Sequence, residues 1–173
     1  MVAKKIAYHC NTGSYEMVVT KINIKPHLAE YMRAKFWDPE IQAVRLPDKD
    51  DLYITIYNLT SKRPANAGID DGNLPIAIPH RREGKNPACW NYLGVRATVQ
   101  IESLIEVRFW AELHQYLDEQ KHRYNIDYIA SIEVFMNRYD IQSISDEALR
   151  KNYYRWKRSL RPTAETRSYR KRR

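Results

Sequence analysis

The chain has 173 residues, a length typical of one domain. Hydrophobic residues make up 43% of it, which is enough to build a core without disulfide or metal support. The net charge is +8, and residues 145–173 carry all of it, because they hold eleven Lys or Arg against three Asp or Glu. A basic end of this kind is typical of proteins that bind a polyanion, and a solubilising tail is the alternative.

Several protein classes are excluded by what the sequence lacks. No apolar run approaches the ~18 residues of a membrane span, and the first ten residues lack the apolar core of a signal peptide. Cys10 and Cys89 are isolated thiols, outside any metal-binding spacing. Two unpaired cysteines favour a reducing compartment, so we expect a cytoplasmic protein.

The first half of the sequence predicts alternating short strands and helices. Residues 1–15 are expected to be flexible, 17–24 to form a strand, and 26–37 to form a helix with Pro26 at its first position. A short strand over 42–46 and a helix over 49–61, capped by Asp48, follow. Loops at 62–73 and 80–91 flank a strand at 74–78, where Pro75 indicates a sheet edge.

The second half predicts three helices. The longest, 95–121, has an apolar stripe and ends before Asn125. The stripe consists of Val99, Ile101, Leu104, Ile105, Phe109, Leu113 and Leu117. A second helix runs from a cap at Asp127 to Tyr139, and its expected buried face is Ile129, Ile132, Phe135, Met136 and Tyr139. The fold class is therefore α+β and mainly helical, with one domain over 16–161.

The last two helices, over 127–160, have the proportions of a helix-turn-helix, although their six-residue turn is slightly long and lacks glycine. Ser145 is predicted to cap the final helix, and an apolar face of Leu149, Tyr153, Trp156 and Leu160 to dock it. A cationic outer surface suits the major groove of duplex DNA, with Asn152 reading a base edge and Tyr154 contacting a phosphate or sugar. The predicted contacts on this helix are Arg150, Lys151, Asn152, Tyr154, Arg155, Lys157, Arg158 and Arg161.

Two further basic segments are candidate DNA contacts. The tail over 162–173 is predicted to be disordered when free and to lie in a minor groove or along the backbone. Its cations are Arg167, Arg170, Lys171, Arg172 and Arg173. The second segment is the loop that carries Arg81, Arg82 and Lys85. Trp90 and Tyr92 beside that loop could stack on bases, although packing in the core is the favoured interpretation.

The sequence offers no catalytic or metal-binding signature. None of the five histidines lies in a metal-ligand spacing, and no glycine-rich phosphate loop occurs. Paired acids such as Asp50 with Asp51 lie where helix caps are expected. We therefore expect a non-enzymatic protein without cofactors.

Four runs of the sequence resemble a known family. They are KPHLAEY at 25–31, VRLPD at 44–48, RREGK at 81–85 and ISDEALRKNYYRW at 144–156. The family consists of small proteins encoded on mobile elements and prophages of gut Bacteroidetes and described as DNA-binding. The resemblance spans most of the chain beyond residue 15. It implies DNA binding in replication, mobilisation or transcription of the element, and it assigns no site residues.

The leading hypothesis is a regulatory or accessory DNA-binding protein that binds duplex DNA through the final helix and the tail. A helix-turn-helix usually dimerises to read a two-fold site, and the long helix is a candidate dimer face. Two alternatives stay open: a module for RNA or single-stranded nucleic acid, and a structural protein whose basic helix docks on an acidic partner.

Overall fold

A computed structural model describes residues 17–68, 70–81 and 83–160, and it confirms the α+β, mainly helical fold. Five helices and four short strands are assigned in that part of the chain. The helices are α1 (Pro26–Phe36), α2 (Asp51–Leu59), α3 (Val95–Tyr124), α4 (Tyr128–Arg138) and α5 (Asp146–Ser159). The strands are β1 (Val19–Ile22), β2 (Trp37–Asp38), β3 (Ala43–Val44) and β4 (Leu74–Ala77). The expectations of a flexible N-terminus over 1–15 and a disordered tail over 162–173 lie outside the described residues.

The strands form one sheet in the order β1-β4-β3-β2. β4 pairs antiparallel with β1 and parallel with β3, so the prediction that Pro75 marks a sheet edge is wrong. The proline is tolerated inside the sheet because β3 has two residues and meets β4 at Val44 and Ile76, one position beyond Pro75. Its missing N–H therefore removes no bond to β3.

Local chemistry sets most of the helix ends. α1 begins at Pro26, as predicted, because the fixed φ of proline suits the first turn. α2 begins two residues later than predicted: Asp50, and not Asp48, accepts the Leu52 N–H at 2.8 Å. α3 ends at Tyr124, because the cap residue Asn125 has a φ of 53°, the left-handed conformation that stops a helix.

The core surrounds α3. Ile101, Ile105, Phe109, Leu113 and Leu117 are fully buried at successive four-residue steps along the helix. Two residues of the predicted stripe are instead exposed, Val99 at 58% and Leu104 at 46%. At 100° per residue they lie off the line that the four-residue steps follow, so α1, α2 and α4 do not cover them.

The C-terminal helix pair is confirmed, and the segment over 139–145 joins the two helices. Tyr128, the first residue of α4, contacts the rings of Tyr153 and Tyr154 two turns into α5. α4 and α5 therefore stay in contact far from the turn that joins them. Ile129 and Leu160, predicted to be buried, are 45% and 62% exposed, because each lies beside the packed face and not within it. That the pair acts as a helix-turn-helix stays a prediction.

Candidate nucleic-acid interface

α5 is divided lengthwise into a buried side and a charged side. Leu149 and Tyr153 are fully buried against the core. The Ser145 hydroxyl accepts the Ala148 N–H at 3.3 Å, which confirms the predicted cap. The charged side spans a sector of about 140° around the helix axis. We call it the α5 cationic face; it consists of Arg150, Lys151, Tyr154, Arg155 and Arg158.

The cations of this face are mostly available for a ligand. Arg150, Arg155 and Arg158 form no hydrogen bond or ion pair with any described residue. Lys151 pairs with Glu147 one turn earlier, at 2.9 Å between Nζ and Oε1. Both of those side chains are well exposed, so the pair is weak and exchanges easily. The face therefore presents three guanidinium groups that form no hydrogen bond or ion pair with a described residue, although Lys151 and Arg150 both lie close enough to Glu147 to lower the pKa of that carboxyl.

Asn152 lies on the opposite side of α5, toward α3. Its Oδ1 is 2.9 Å from Nε2 of His114, a buried residue of α3. Burial lowers the pKa of His114, and the contact with Asn152 partly offsets that effect. The amide predicted to read a base edge thus has an intramolecular partner, and the cationic face does not include it.

Lys157 is held inside the molecule in the same way. Its Nζ lies 2.5 Å from Oδ1 of Asp118 on α3, and the Tyr153 hydroxyl donates to that same oxygen at 2.5 Å. Lys157 and Tyr153 hold the pKa of Asp118 below its ordinary value, against the opposing effect of burial. This predicted DNA contact instead fastens α5 to α3.

An aromatic stack that the sequence does not predict completes this attachment. Trp156 stacks on His114, and His114 in turn stacks on Trp110. Trp110, His114 and Asp118 recur every four residues on α3, but nothing in that spacing identifies α5 as their partner. The attachment is therefore visible only once the helices are packed.

The loop candidates have structural roles of their own. Lys85 Nζ donates to the carbonyl oxygens of Tyr57, Asn58 and Thr60 at 2.7–2.9 Å, which satisfies the free carbonyls at the end of α2. The Arg81 guanidinium lies over the Tyr57 ring at 4.7 Å. Arg82 lies outside the described residues.

The aromatic rings near this loop are faced by cations of the same chain. Lys62 and Lys85 lie 5.7 and 5.2 Å from the centroid of the half-buried Trp90 ring. Arg63 lies 5.8 Å from the Tyr92 ring and also pairs with Asp70. These rings are therefore already engaged, and stacking on bases stays a prediction.

The tail candidates are not described. Arg161, Arg167, Arg170, Lys171, Arg172 and Arg173 lie beyond the last described residue, Leu160. α5 ends at Ser159 with Leu160 as its C-terminal cap, so the tail residues follow this helix closely in the sequence.

Two other kinds of site are absent from the described part of the chain. Within 17–68, 70–81 and 83–160, no group of three or more His, Cys, Asp or Glu could hold a metal ion. No helix in the same ranges is long and apolar enough to cross a membrane. The expectation of a non-enzymatic protein stays a prediction.

Comparison with known proteins identifies no relative. No family model, curated protein or solved structure matches the chain.

Proposed function

We propose that this protein binds duplex DNA without catalysing a reaction, and that the α5 cationic face makes the principal contact. The observation that carries the proposal is the set of three arginines, Arg150, Arg155 and Arg158, that form no ion pair with a described residue and lie on one side of a firmly anchored helix. Guanidinium groups suit phosphate because their planar donors bind oxygen pairs. A helix also fits the width of the major groove.

The uneven distribution of charge along α5 indicates which end of this helix would contact DNA. Asp146 and Glu147 lie in the first turn, where their charges complement the helix dipole. DNA phosphates would repel these two acids. The cations begin at Arg150 and continue toward the basic tail, so α5 approaches DNA with its later turns, and the tail extends the contact along the backbone.

The anchoring of α5 favours a preformed binding surface. Stacking of Trp156 on His114 and the ion pair of Lys157 with Asp118 fix the helix on α3. A rigid cationic helix loses little conformational entropy on binding. A regulatory or accessory role on a mobile element is part of the proposal and follows from the resemblance of the four sequence runs alone, since no known protein matches the chain.

Fluorescence anisotropy across a salt series, with labelled duplex, single-stranded DNA and RNA, tests the proposal. We expect tight duplex binding whose affinity falls steeply with salt. The variant Arg150→Gln/Arg155→Gln/Arg158→Gln should lose most of the affinity and about 0.9 from the salt slope for each phosphate that it no longer neutralises.

The matched control is Lys21→Gln/Arg45→Gln/Lys49→Gln, which removes the same charge from exposed positions outside the candidate segments. An equal loss of affinity in both variants would mean that binding depends on net charge alone. That result would contradict a specific role for the α5 cationic face. Preference for single strands or RNA would favour the nucleic-acid alternative. If the protein binds neither duplex DNA, single-stranded DNA nor RNA at low salt, the expected partner of the basic helix is an acidic protein.

A further inference from the structure

The side chains of α5 that lie farthest from the buried side of this helix form one row along it. They are spaced at i, i+3, i+4 and i+7, and each lies about 120° or more around the helix axis from the mean direction of Leu149 and Tyr153. The row consists of Lys151, Tyr154, Arg155 and Arg158, and all four are exposed. It is roughly 10 Å long, which is the height of three base pairs at about 3.4 Å each. The row is therefore the part of the α5 cationic face that would lie deepest in a groove.

Two arginines of this row can each present a pair of parallel donors. Arg155 and Arg158 form no hydrogen bond or ion pair with any described residue. Lys151 has no such fork, and its ammonium already has a partner within α5. Arg150, outside the row, is half-buried and lies only about 60° from Tyr153, so it is nearer to the wall of a groove than to its floor. The two arginines of the row are therefore the groups best placed to reach base edges.

The backbone between these two arginines is fixed to α3. Trp156 and Lys157 occupy the two positions between them. Trp156 stacks on His114 with 4.3 Å between the ring centroids, and Lys157 Nζ lies 2.5 Å from Oδ1 of Asp118. Reading a base requires donors held to within about 0.5 Å, because bases differ in the groove by the placement of their donors and acceptors. The anchors thus lie where a pair of base-reading side chains needs them, whereas neutralising phosphates requires no such precision.

The donors and acceptors of α5 favour one base over the others. In the major groove guanine presents two neighbouring acceptors, N7 and O6, whereas adenine presents one acceptor and one donor, and cytosine presents a donor. A guanidinium group only donates. Asn152, the one amide side chain of α5, could read adenine, but its Oδ1 contacts His114. Glu147 could accept from cytosine, but its carboxylate pairs with Lys151. Guanine is therefore the base that the row is suited to read.

We infer that Arg155 and Arg158 each bind the N7 and O6 atoms of a guanine, so that the protein prefers duplex DNA with neighbouring guanines. The two residues are separated by about 4.5 Å along the helix axis, close to the spacing of about 3.4 Å between successive base pairs. Arginine bound to guanine through two parallel hydrogen bonds is the commonest specific contact in the major groove. This inference rests on the proposed function, and it adds the base preference that phosphate contacts do not supply.

Fluorescence anisotropy of the full chain at one salt concentration tests this preference, with duplexes of equal length. One duplex repeats the triplet guanine-guanine-adenine, and a second has 7-deazaguanine, which lacks the N7 acceptor, at every guanine. We expect this replacement to weaken binding about tenfold. A third duplex has inosine at every guanine. Inosine lacks the amino group in the minor groove but keeps N7 and O6, so this duplex should bind as tightly as the first.

Lysine replacements separate base reading from charge. Arg155→Lys/Arg158→Lys keeps both charges but removes the paired donors. This variant should bind the guanine and 7-deazaguanine duplexes equally, while its salt slope stays that of the wild type. The control Arg45→Lys/Arg96→Lys makes the same exchange at exposed positions outside α5 and should keep the preference for guanine.

The outcomes distinguish this inference from the function on which it rests. If the wild type binds the guanine and 7-deazaguanine duplexes equally, with a steep salt slope, guanine reading is overturned and DNA binding through phosphates remains. A preference that survives Arg155→Lys/Arg158→Lys overturns the assignment to these two arginines. A chain that binds no duplex contradicts the proposed function itself.

Discussion

The imidazole of His114 is stacked on the indole of Trp156, with 4.3 Å between the ring centroids and 18° between the ring planes. His114 belongs to α3 and Trp156 to α5, so the contact joins the core of the protein to the helix that bears the cationic face. Asn152 fixes the orientation of the imidazole through Nε2. The geometry of the candidate interface therefore depends on a histidine far from it in sequence.

We predict that the protein loses stability as the pH falls below about 6.5. Burial lowers the pKa of His114, and burial together with Lys25 lowers the pKa of His27. The folded state therefore binds fewer protons than the unfolded state, whose histidines protonate near pH 6.5. The stabilisation is complete above that pH and is lost as the pH falls toward the folded-state pKa values. Urea unfolding at several pH values measures this slope.

Substituting His114 separates its contribution to the pH dependence of stability from the contributions of the other titrating groups. His114→Phe keeps an aromatic ring in the stack but removes the titration, so the pH slope should become shallower. His122→Phe, at an exposed position, serves as the control. An unchanged slope in His114→Phe would contradict the assignment. The carboxyls of Asp118 and Glu112, whose pKa values are lowered, lose their contribution only below their ordinary range near pH 4.

Lys85 provides a second prediction, because its ammonium holds the end of α2. Lys85→Met should lower the free energy of unfolding by about 1.5–3 kcal/mol, since it leaves carbonyl oxygens of Tyr57, Asn58 and Thr60 without this donor. Thermal and urea unfolding measure the loss. Arg81→Met, which removes a neighbouring exposed cation, should cost less than about 1 kcal/mol. If Lys85→Met is as stable as the wild type but binds DNA more weakly, Lys85 contacts DNA, as the sequence predicts.

The helix ends can be predicted from the sequence because their causes are local. Pro26, Asn125 and Ser145 each act within one turn of their own position. The start of α2 is the exception, because Asp48 and Asp50 are both suitable caps, and only Asp50 is also held by Arg108, 58 residues away.

The composition of the candidate site is harder to predict. A helical wheel shows which residues of α5 are polar, but it does not show which polar groups other elements neutralise. Asn152 and Lys157 find their partners 38 and 39 residues away, on α3. The same wheel does indicate Arg155 and Arg158, since they lie about 120° or more from Leu149 and Tyr153, whereas Arg150 lies only about 60° from Tyr153.

Glu112 supports a third prediction, because it joins three helices. Its carboxylate accepts hydrogen bonds from Tyr31 of α1 at 2.5 Å and from Tyr139, which follows α4. Lys35 Nζ also lies 2.5 Å from this carboxylate. Glu112→Gln keeps the shape and removes the charge, so it should destabilise the fold by about 1–3 kcal/mol, measured by urea unfolding.

Tyrosine titration gives an independent check on the same group. Burial, followed by the hydrogen bond to Glu112, raises the pKa of Tyr139 to about 12. In Glu112→Gln the charge is absent, so Tyr139 should ionise at lower pH, as followed by ultraviolet absorbance. Tyr139→Phe in the wild-type background identifies its share of the signal. A Tyr139 titration unaffected by Glu112→Gln would contradict the proposed network.

The tail yields the last prediction, which distinguishes an arm from a solubilising extension. Deleting residues 162–173 removes five Lys or Arg and one Glu, yet leaves α5 and its anchors on α3 intact. If the tail lies along the DNA backbone, the deletion should weaken duplex binding and lower the salt slope by up to about four to five, at about 0.9 for each phosphate that the tail neutralises. Stability should change little, because the described core and the anchors of α5 include none of the deleted residues. If the truncated chain keeps its DNA affinity and its salt slope, DNA contact is confined to α5. If the truncated chain loses only solubility, the tail is a solubilising extension.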